Sequence, residues 1–285
     1  GMIMKIKEVK KLFACLYLLS LTSLASANEG VPQHMVFASD PQYPWTEKSD
    51  SGEDEPSADF EKRSKWLVEN QFASIAQFRN EMGGQASVPL MINGDITAFG
   101  HGWQRSFMRT MLSKYFGDHF LYGLGNHDYQ NNVNDCFSES CAAGSIVDYR
   151  DHHVDKVDEF DLEVSGSFLN KHYLGSLAYS KNIGEVNIVQ LNNEPTYQVK
   201  ISHALNPTSF DIKESLDWLE NDLRIARAQG YAIIINMHKP YDWAGSWEQQ
   251  KRFRDMIEKY QVTAMFAGHY HGEGGSQTYM GSVPM

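Results

Sequence analysis

Five short apolar runs in this chain each end on side chains able to hold a metal ion. His34 to Ser39 runs into Asp40-Pro41-Gln42, and Val88 to Ile92 runs into Asn93-Gly94-Asp95. Leu121 to Leu124 runs into Gly125-Asn126-His127-Asp128. Tyr231 to Met237 delivers His238, and Val262 to Ala267 delivers Gly268-His269-Tyr270-His271. Carboxylate, carboxamide and imidazole are the donors that hold hard to borderline divalent ions such as Mg, Mn, Fe or Zn. Two such ions about 3.5–4 Å apart can share a carboxylate and clamp an in-line displacement at phosphorus. Asp95 is the candidate bridge, since the preceding Gly lets backbone pass close by. Taken singly, an Asp after Asn-Gly is an ordinary turn residue and a buried His an ordinary hydrogen-bonded one. Five such strand ends in one chain are hard to explain as packing.

The elements that must position these residues follow from apolar periodicity. Continuous runs such as Ala232-Ile233-Ile234-Ile235 imply strands buried on both faces, hence a sheet with helical cover. Helices are predicted over Phe60–Met82, Gly102–Tyr115, Asp211–Ala228 and Ser246–Lys259. In the third of these Ile212, Leu216, Leu219, Leu223 and Ala226 share one face, and Gly230 closes it. Strand and helix alternate, which favours one α/β domain over two. Functional groups in open α/β sheets gather beyond the strand C-termini, where all five motifs lie. Pro44 to Asp59 reads as an acidic loop over the site mouth, with Tyr43 and Trp45 as candidate lining. Tyr129 to Ser180, rich in Asn, Asp, His and Ser, reads as a loop-rich insertion. Tyr173–Ser180 and Val186–Leu191 read as paired strands around Asn182-Ile183-Gly184-Glu185.

With five motifs in this order, the chain resembles the calcineurin-like metallophosphoesterase superfamily over roughly residues 34–273. The resemblance implies a four-layer α/β/β/α sandwich of two mixed β-sheets flanked by helices. It also implies two divalent metal ions (Mn, Fe, Mg or Zn) and a phosphate ester substrate. Carried over position by position, Asp40 and His271 hold one metal, Asn126, His238 and His269 hold the other, and Asp95 bridges both. His127 sits beside the scissile phosphate, stabilising developing charge or protonating the leaving oxygen, and Asp128 helps to orient it. The first motif departs from the usual Asp-x-His: Gln42 stands where the imidazole would be, as in a subset of the superfamily with Asp-Pro-Gln. An amide oxygen there makes a harder, weaker site that favours Mg or Mn over Zn. Relatives also continue for some strands after Gly-His-x-His, whereas this chain ends at Pro284-Met285, so either the second sheet is short or the chain is truncated.

His101, in a Gly-His-Gly turn, and Asn193, at a strand end, are further candidates for substrate contact. His34, His119, His172 and His203 read as hydrogen-bonded core residues, and His152-His153 as surface.

The bulk composition agrees with a soluble globular protein. With 42% hydrophobic and 21% charged residues, the 285-residue chain can bury a substantial core. Its net charge of -11 and the lack of a basic stripe argue against a nucleic-acid-binding surface. An anionic substrate stays compatible, because bound cations dominate the local field. Gly1 reads as a cloning remnant. Lys5, Lys7, Lys10 and Lys11, then apolar Leu12–Leu24, then Ala25-Ser26-Ala27 read as a signal peptide, residues 1–27, cleaved before Asn28. The apolar stretch is too short for a membrane span, so the expected mature domain, 28–285 with its insertion at about 129–180, is secreted or periplasmic. Only Cys136 and Cys141 then remain. They read as a disulfide in an oxidising compartment, and as free thiols or half a metal site in a reducing one. Phosphomonoesterase is the first reading. The alternatives are a phosphodiesterase acting on a nucleotide or lipid headgroup, and a non-catalytic metal- or phosphate-binding protein.

Overall fold

Each motif strand is short because the polar residues that end it cannot continue a buried ladder. A computed structural model describes residues 32–272 and 274–285, so the expected signal peptide lies outside the described residues. Strand β1 (Val36–Ala38) is followed by helices α1 (Glu47–Ser51) and α2 (Ser57–Glu81), then β2 (Leu90–Asn93), α3 (Gly102–Phe116) and β3 (Leu121–Gly123). These strands form a parallel sheet in the order β1-β2-β3, with Val36 beside Leu90 and Met91 beside Leu121. Next come α4 (Ser140–His153), β4 (Glu159–Phe160), β5 (Glu163–Ser167), β6 (Asn170–Gly175), β7 (Tyr179–Ile183), β8 (Val186–Gln190), β9 (Val199–His203) and β10 (Asn206–Ile212). The chain continues through α5 (Leu216–Ala228), β11 (Ala232–Asn236), α6 (Trp247–Lys259) and β12 (Ala264–Phe266) to a hairpin of β13 (Thr278–Tyr279) and β14 (Val283–Pro284).

The second sheet is ordered β12-β11-β8-β7-β4 and is mixed: β12, β11 and β8 run parallel, while β7 pairs antiparallel with β8 and β4. The two sheets face each other. Phe37 of β1 stacks on Phe266 of β12 with ring centroids 3.7 Å apart, and the Asn93 amide of β2 donates to Asn236 of β11 at 3.0 Å. Phe72 of α2 and Met108, Leu112 and Phe116 of α3 pack with Leu90, Met91 and Ile92 of the first sheet. Leu219, Leu223, Phe253 and Ile257 of α5 and α6 bury Ile233 and Ile235 of the second. The expected α/β sandwich of two sheets flanked by helices is therefore present, with the first sheet wholly parallel rather than mixed.

Residues 129–180 differ from the loop-rich reading. Helix α4 buries Ala142, Ile146 and Tyr149 at i, i+4 and i+7, a stripe masked in the sequence by the polar residues around it. The Cys136–Cys141 disulfide, with Cα atoms 5.6 Å apart, closes the loop that enters this helix. Strands β5 and β6 join β10 and β9 in a third sheet, ordered β5-β6-β10-β9. Tyr173–Ser180 is not one strand. Its first part pairs in the third sheet and its last part in the second. The turn between them is held by Asp161, whose carboxylate accepts from Ser176 N at 3.1 Å and from Ser176 Oγ at 2.5 Å. Asp211 and Ile212 belong to β10, and the helix predicted there begins only at Leu216. Within the expected mouth loop, a capping box between Thr46 and Ser49 starts the short helix α1.

The histidine readings also change. His153 is fully buried rather than at the surface: its Nδ1 donates to Tyr149 O (2.7 Å), and its Nε2 accepts from Tyr122 N (3.0 Å). Strand β3 is an edge, and docking α4 against it leaves the Tyr122 N–H needing an acceptor away from water. His34 and His119, read as core, are exposed.

Candidate metal centre

The loops after β1, β2, β3, β11 and β12 meet at one end of the sandwich. The first two are joined by backbone: Asp40 N donates to Gly94 O (3.1 Å) and Gln42 N to Asp95 O (2.7 Å). Asp40, Gln42, Asp95 and His269 all take positive φ, at 53°, 40°, 50° and 77°. Such a conformation costs a non-glycine residue roughly 1–3 kcal/mol, and it persists where surrounding structure holds it for a function. The motif glycines are steric necessities. A Cβ at Gly125 would lie 2.1 Å from Asp95 Oδ1, and one at Gly268 would lie 2.5 Å from Asp40 Oδ2.

Two groups of potential ligands result, and Asp95 belongs to both. Asp95, His238 and His269 bring one donor atom each within 4.8 Å of one another, and so do Asp40, Asp95 and His271. His238 Nε2 lies 3.0 Å from Asp95 Oδ2 and 3.1 Å from Asn126 Oδ1. His271 Nε2 lies 3.3 Å from Asp40 Oδ1. The backbone N–H of His269 donates to the Asp40 carboxylate at 3.0 Å, tying the two halves together. Gln42 is buried beside them, and its Oε1 has no hydrogen-bond partner.

Partners behind these side chains set their orientation. His238 Nδ1 donates to Asn93 O at 2.8 Å, which turns Nε2 toward the carboxylates. His271 Nδ1 lies 2.7 Å from Asp50 Oδ1, and Asp50 also accepts from the Trp45 indole at 2.7 Å. A carboxylate behind a ligating imidazole fixes its ring and raises its basicity. Asp50 escaped the sequence reading. It sits in an acidic stretch with no spacing relation to His271, 221 residues away.

His127 stands at the edge of the cluster. Its Nδ1 is 2.8 Å from Ala98 O, and a carbonyl only accepts, so Nδ1 carries a proton, while the Gln42 amide nitrogen lies 3.5 Å from Nε2. Trp45 packs edge-on to this ring, with centroids 5.2 Å apart. Tyr43, by contrast, is buried and stacks on Phe107. Asp128 does not contact the His127 ring. Its buried carboxylate accepts from Gly125 N (2.9 Å), Ile96 N (3.1 Å), Thr97 N (2.9 Å) and Thr97 Oγ1 (3.0 Å), so it clamps the β2 and β3 loops together. His101 lies outside both ligand groups, 4.0 Å from Asp135. It does approach Cys136 and Cys141, whose sulfurs are spent on the disulfide. Asn193 is fully buried. Its carbonyl accepts from His238 N (3.2 Å) and Lys239 N (2.8 Å), and so holds the His238 turn.

The electrostatics demand positive charge. Burial disfavours a proton on His238, but the carboxylates of Asp95 and Asp40 outweigh it and raise its pKa to about 9. Hydrogen bonds to Asp40 and Asp50 raise His271 to about 9 against its partial burial. Asp40 itself is held below the usual carboxylate range: burial opposes this, but His271 and His238 prevail. Protons on imidazole here stand in for cations, and metal binding would displace them. The donor set and the orphaned amide oxygen of Gln42 fit divalent metal ions.

The chain belongs to the calcineurin-like phosphoesterase family, whose family model matches residues 34–273. That span runs from the strand before Asp40 to just past His271. Membership makes the protein a metal-dependent hydrolase of phosphoric esters. A comparison with curated proteins gives no match.

Proposed function

We propose that the protein is an exported phosphomonoesterase that works with two metal ions. The observation that carries this reading is the sharing of Asp95 between two ligand groups. Asp40, Asp95 and His271, with Gln42, would hold one ion, and Asp95, Asn126, His238 and His269 the other. When bound, the ions would supply Lewis-acid neutralisation of the phosphate oxygens and activation of water. The chain's own part is to place and protonate. Asp50 and the Asn93 carbonyl hold two ligand rings in position. Ala98 O holds the Nδ1 proton of His127, so that Nε2 of the doubly protonated ring would give its own proton to the departing oxygen and leave the neutral, Nδ1-protonated imidazole. Export is supported by the Cys136–Cys141 disulfide, a bond that persists in oxidising compartments.

Turnover of p-nitrophenyl phosphate against its bis ester, with and without added Mn, tests the reading. Faster release from the monoester, abolished by chelation, is the expected result. Faster release from the bis ester would make the protein a phosphodiesterase, and no turnover of either would make it a binding protein. His127→Ala should retain metal while losing about 10²–10⁴ in rate, most for poor leaving groups. Loss of metal in that variant would reassign His127 as a ligand.

A further inference from the structure

The third sheet ends in an exposed apolar cluster. Strands β6 and β10 are parallel neighbours, with Ser209 beside His172, and each begins at a hairpin tip. Both tips therefore project from the same end of the sheet. The β5–β6 tip carries Phe168, 88% exposed, and Leu169, 71% exposed, while the β9–β10 tip carries Leu205, 70% exposed. The disulfide loop joins them. The ring of its Phe137, 78% exposed, lies 5.9 Å from that of His203, and Asn206 Nδ2 donates to Ser138 O at 3.3 Å.

We propose that these tips dock the protein on the surface of a phospholipid bilayer. Four large side chains gathered at one end of a small sheet, without burial, point to an interaction site. They stand on separate projections, a shape suited to entering the headgroup region, whereas a protein partner needs a continuous packed surface. Charge agrees. In a chain of net charge -11, residues 164–175 and 195–210 of the third sheet contain no Asp or Glu, and Lys171 stands two residues beyond the Phe168-Leu169 tip. Within the disulfide loop the sole carboxylate, Glu139, is buried and accepts from Asn134 N. Inserting apolar groups flanked by a lysine and by no carboxylate within these stretches favour an anionic lipid surface.

The cluster also adjoins the candidate centre. His101 approaches both disulfide sulfurs, its ring lies 5.9 Å from Phe99, and the Phe99 ring lies 6.4 Å from His127. Docking would thus bring the phosphate esters of lipid headgroups close to the site, a consequence that rests on the hydrolase reading above.

Flotation of the mature chain, residues 28–285, with vesicles of phosphatidylcholine, alone or mixed equally with phosphatidylglycerol, is the test. Binding is expected, and more tightly to the anionic vesicles. The paired change Phe168→Ser and Leu169→Ser should weaken it about tenfold or more, and Leu205→Ser or Phe137→Ser less. All variants should keep the wild-type circular dichroism and p-nitrophenyl phosphate turnover. Absence of flotation with both vesicle types, or flotation unchanged by the tip substitutions, would overturn docking. So would a wild-type chain that self-associates in sedimentation while the tip variants stay monomeric, since the tips would then be a protein contact. Flotation needs no turnover: a chain that floats without hydrolysing esters sinks the enzymatic reading alone, and one that hydrolyses without floating sinks docking alone.

Discussion

His238 and His153 are both fully buried, and in both Nδ1 is engaged by a backbone carbonyl. Their second nitrogens differ. His238 Nε2 faces Asp95 and Asn126, whereas His153 Nε2 accepts the Tyr122 N–H and meets no carboxylate. The consequence is opposite charge behaviour. The surrounding carboxylates hold His238 protonated, at about 9, while burial and the neighbouring His152 push His153 well below the usual histidine range. Burial and residue type are the same in both. What separates a candidate ligand from a structural imidazole is the partner of the second nitrogen and the charge it creates.

Breaking the charged side of this comparison should have the largest effect. Asp95→Asn removes the carboxylate common to both ligand groups, and turnover is expected to fall by about 10³ or more. Elemental analysis should show at least one ion lost, with circular dichroism unchanged. Full metal content in this variant would mean that Asp95 is not shared.

Breaking the neutral side should cost stability and leave metal content alone. His153→Ala leaves the Tyr122 N–H unpaired beside a cavity, at a cost of about 3 kcal/mol in urea unfolding. The same variant carries a pH signature. Below about pH 6.5 the unfolded chain takes up a proton on His153 that the folded chain refuses, so stability falls as pH falls, by up to about 1.4 kcal/mol per pH unit. That component should be missing from the variant. An unchanged slope would show that His153 titrates normally in the folded protein.

Two smaller changes sharpen the comparison at the ligands themselves. Asp50→Asn keeps a hydrogen-bond acceptor behind His271 but removes its charge. Metal affinity, read by competition with a chelator, should drop about 10–100-fold. Equal affinity would make the Asp50 contact incidental. Gln42→His replaces an amide oxygen by imidazole and should favour Zn or Fe by about tenfold, on the ordering of donor preferences. Unchanged metal preference would mean that Gln42 does not coordinate.

The local sequence determined more of the centre than of the fold around it. A strand that ends at its own motif is a local event: apolar run, glycine, then donor side chains. Asp40, Asp95, Asn126, His238, His269 and His271 were therefore legible one motif at a time, and their chain order carried the rest. Tertiary structure alone decided where distant groups would meet. Nothing in the acidic stretch around Asp50 marks it as the partner of His271. The burial of His153 follows from an edge N–H on a strand 31 residues earlier. The division of Tyr173–Ser180 between two sheets depends on the reach of the Asp161 carboxylate, and the shared exposure of Phe168 and Leu205 on the parallel pairing of β6 with β10. Hydrophobic periodicity is set by neighbours along the chain. The partner of a polar side chain is set by which surfaces pack, and that is settled only when the whole domain closes.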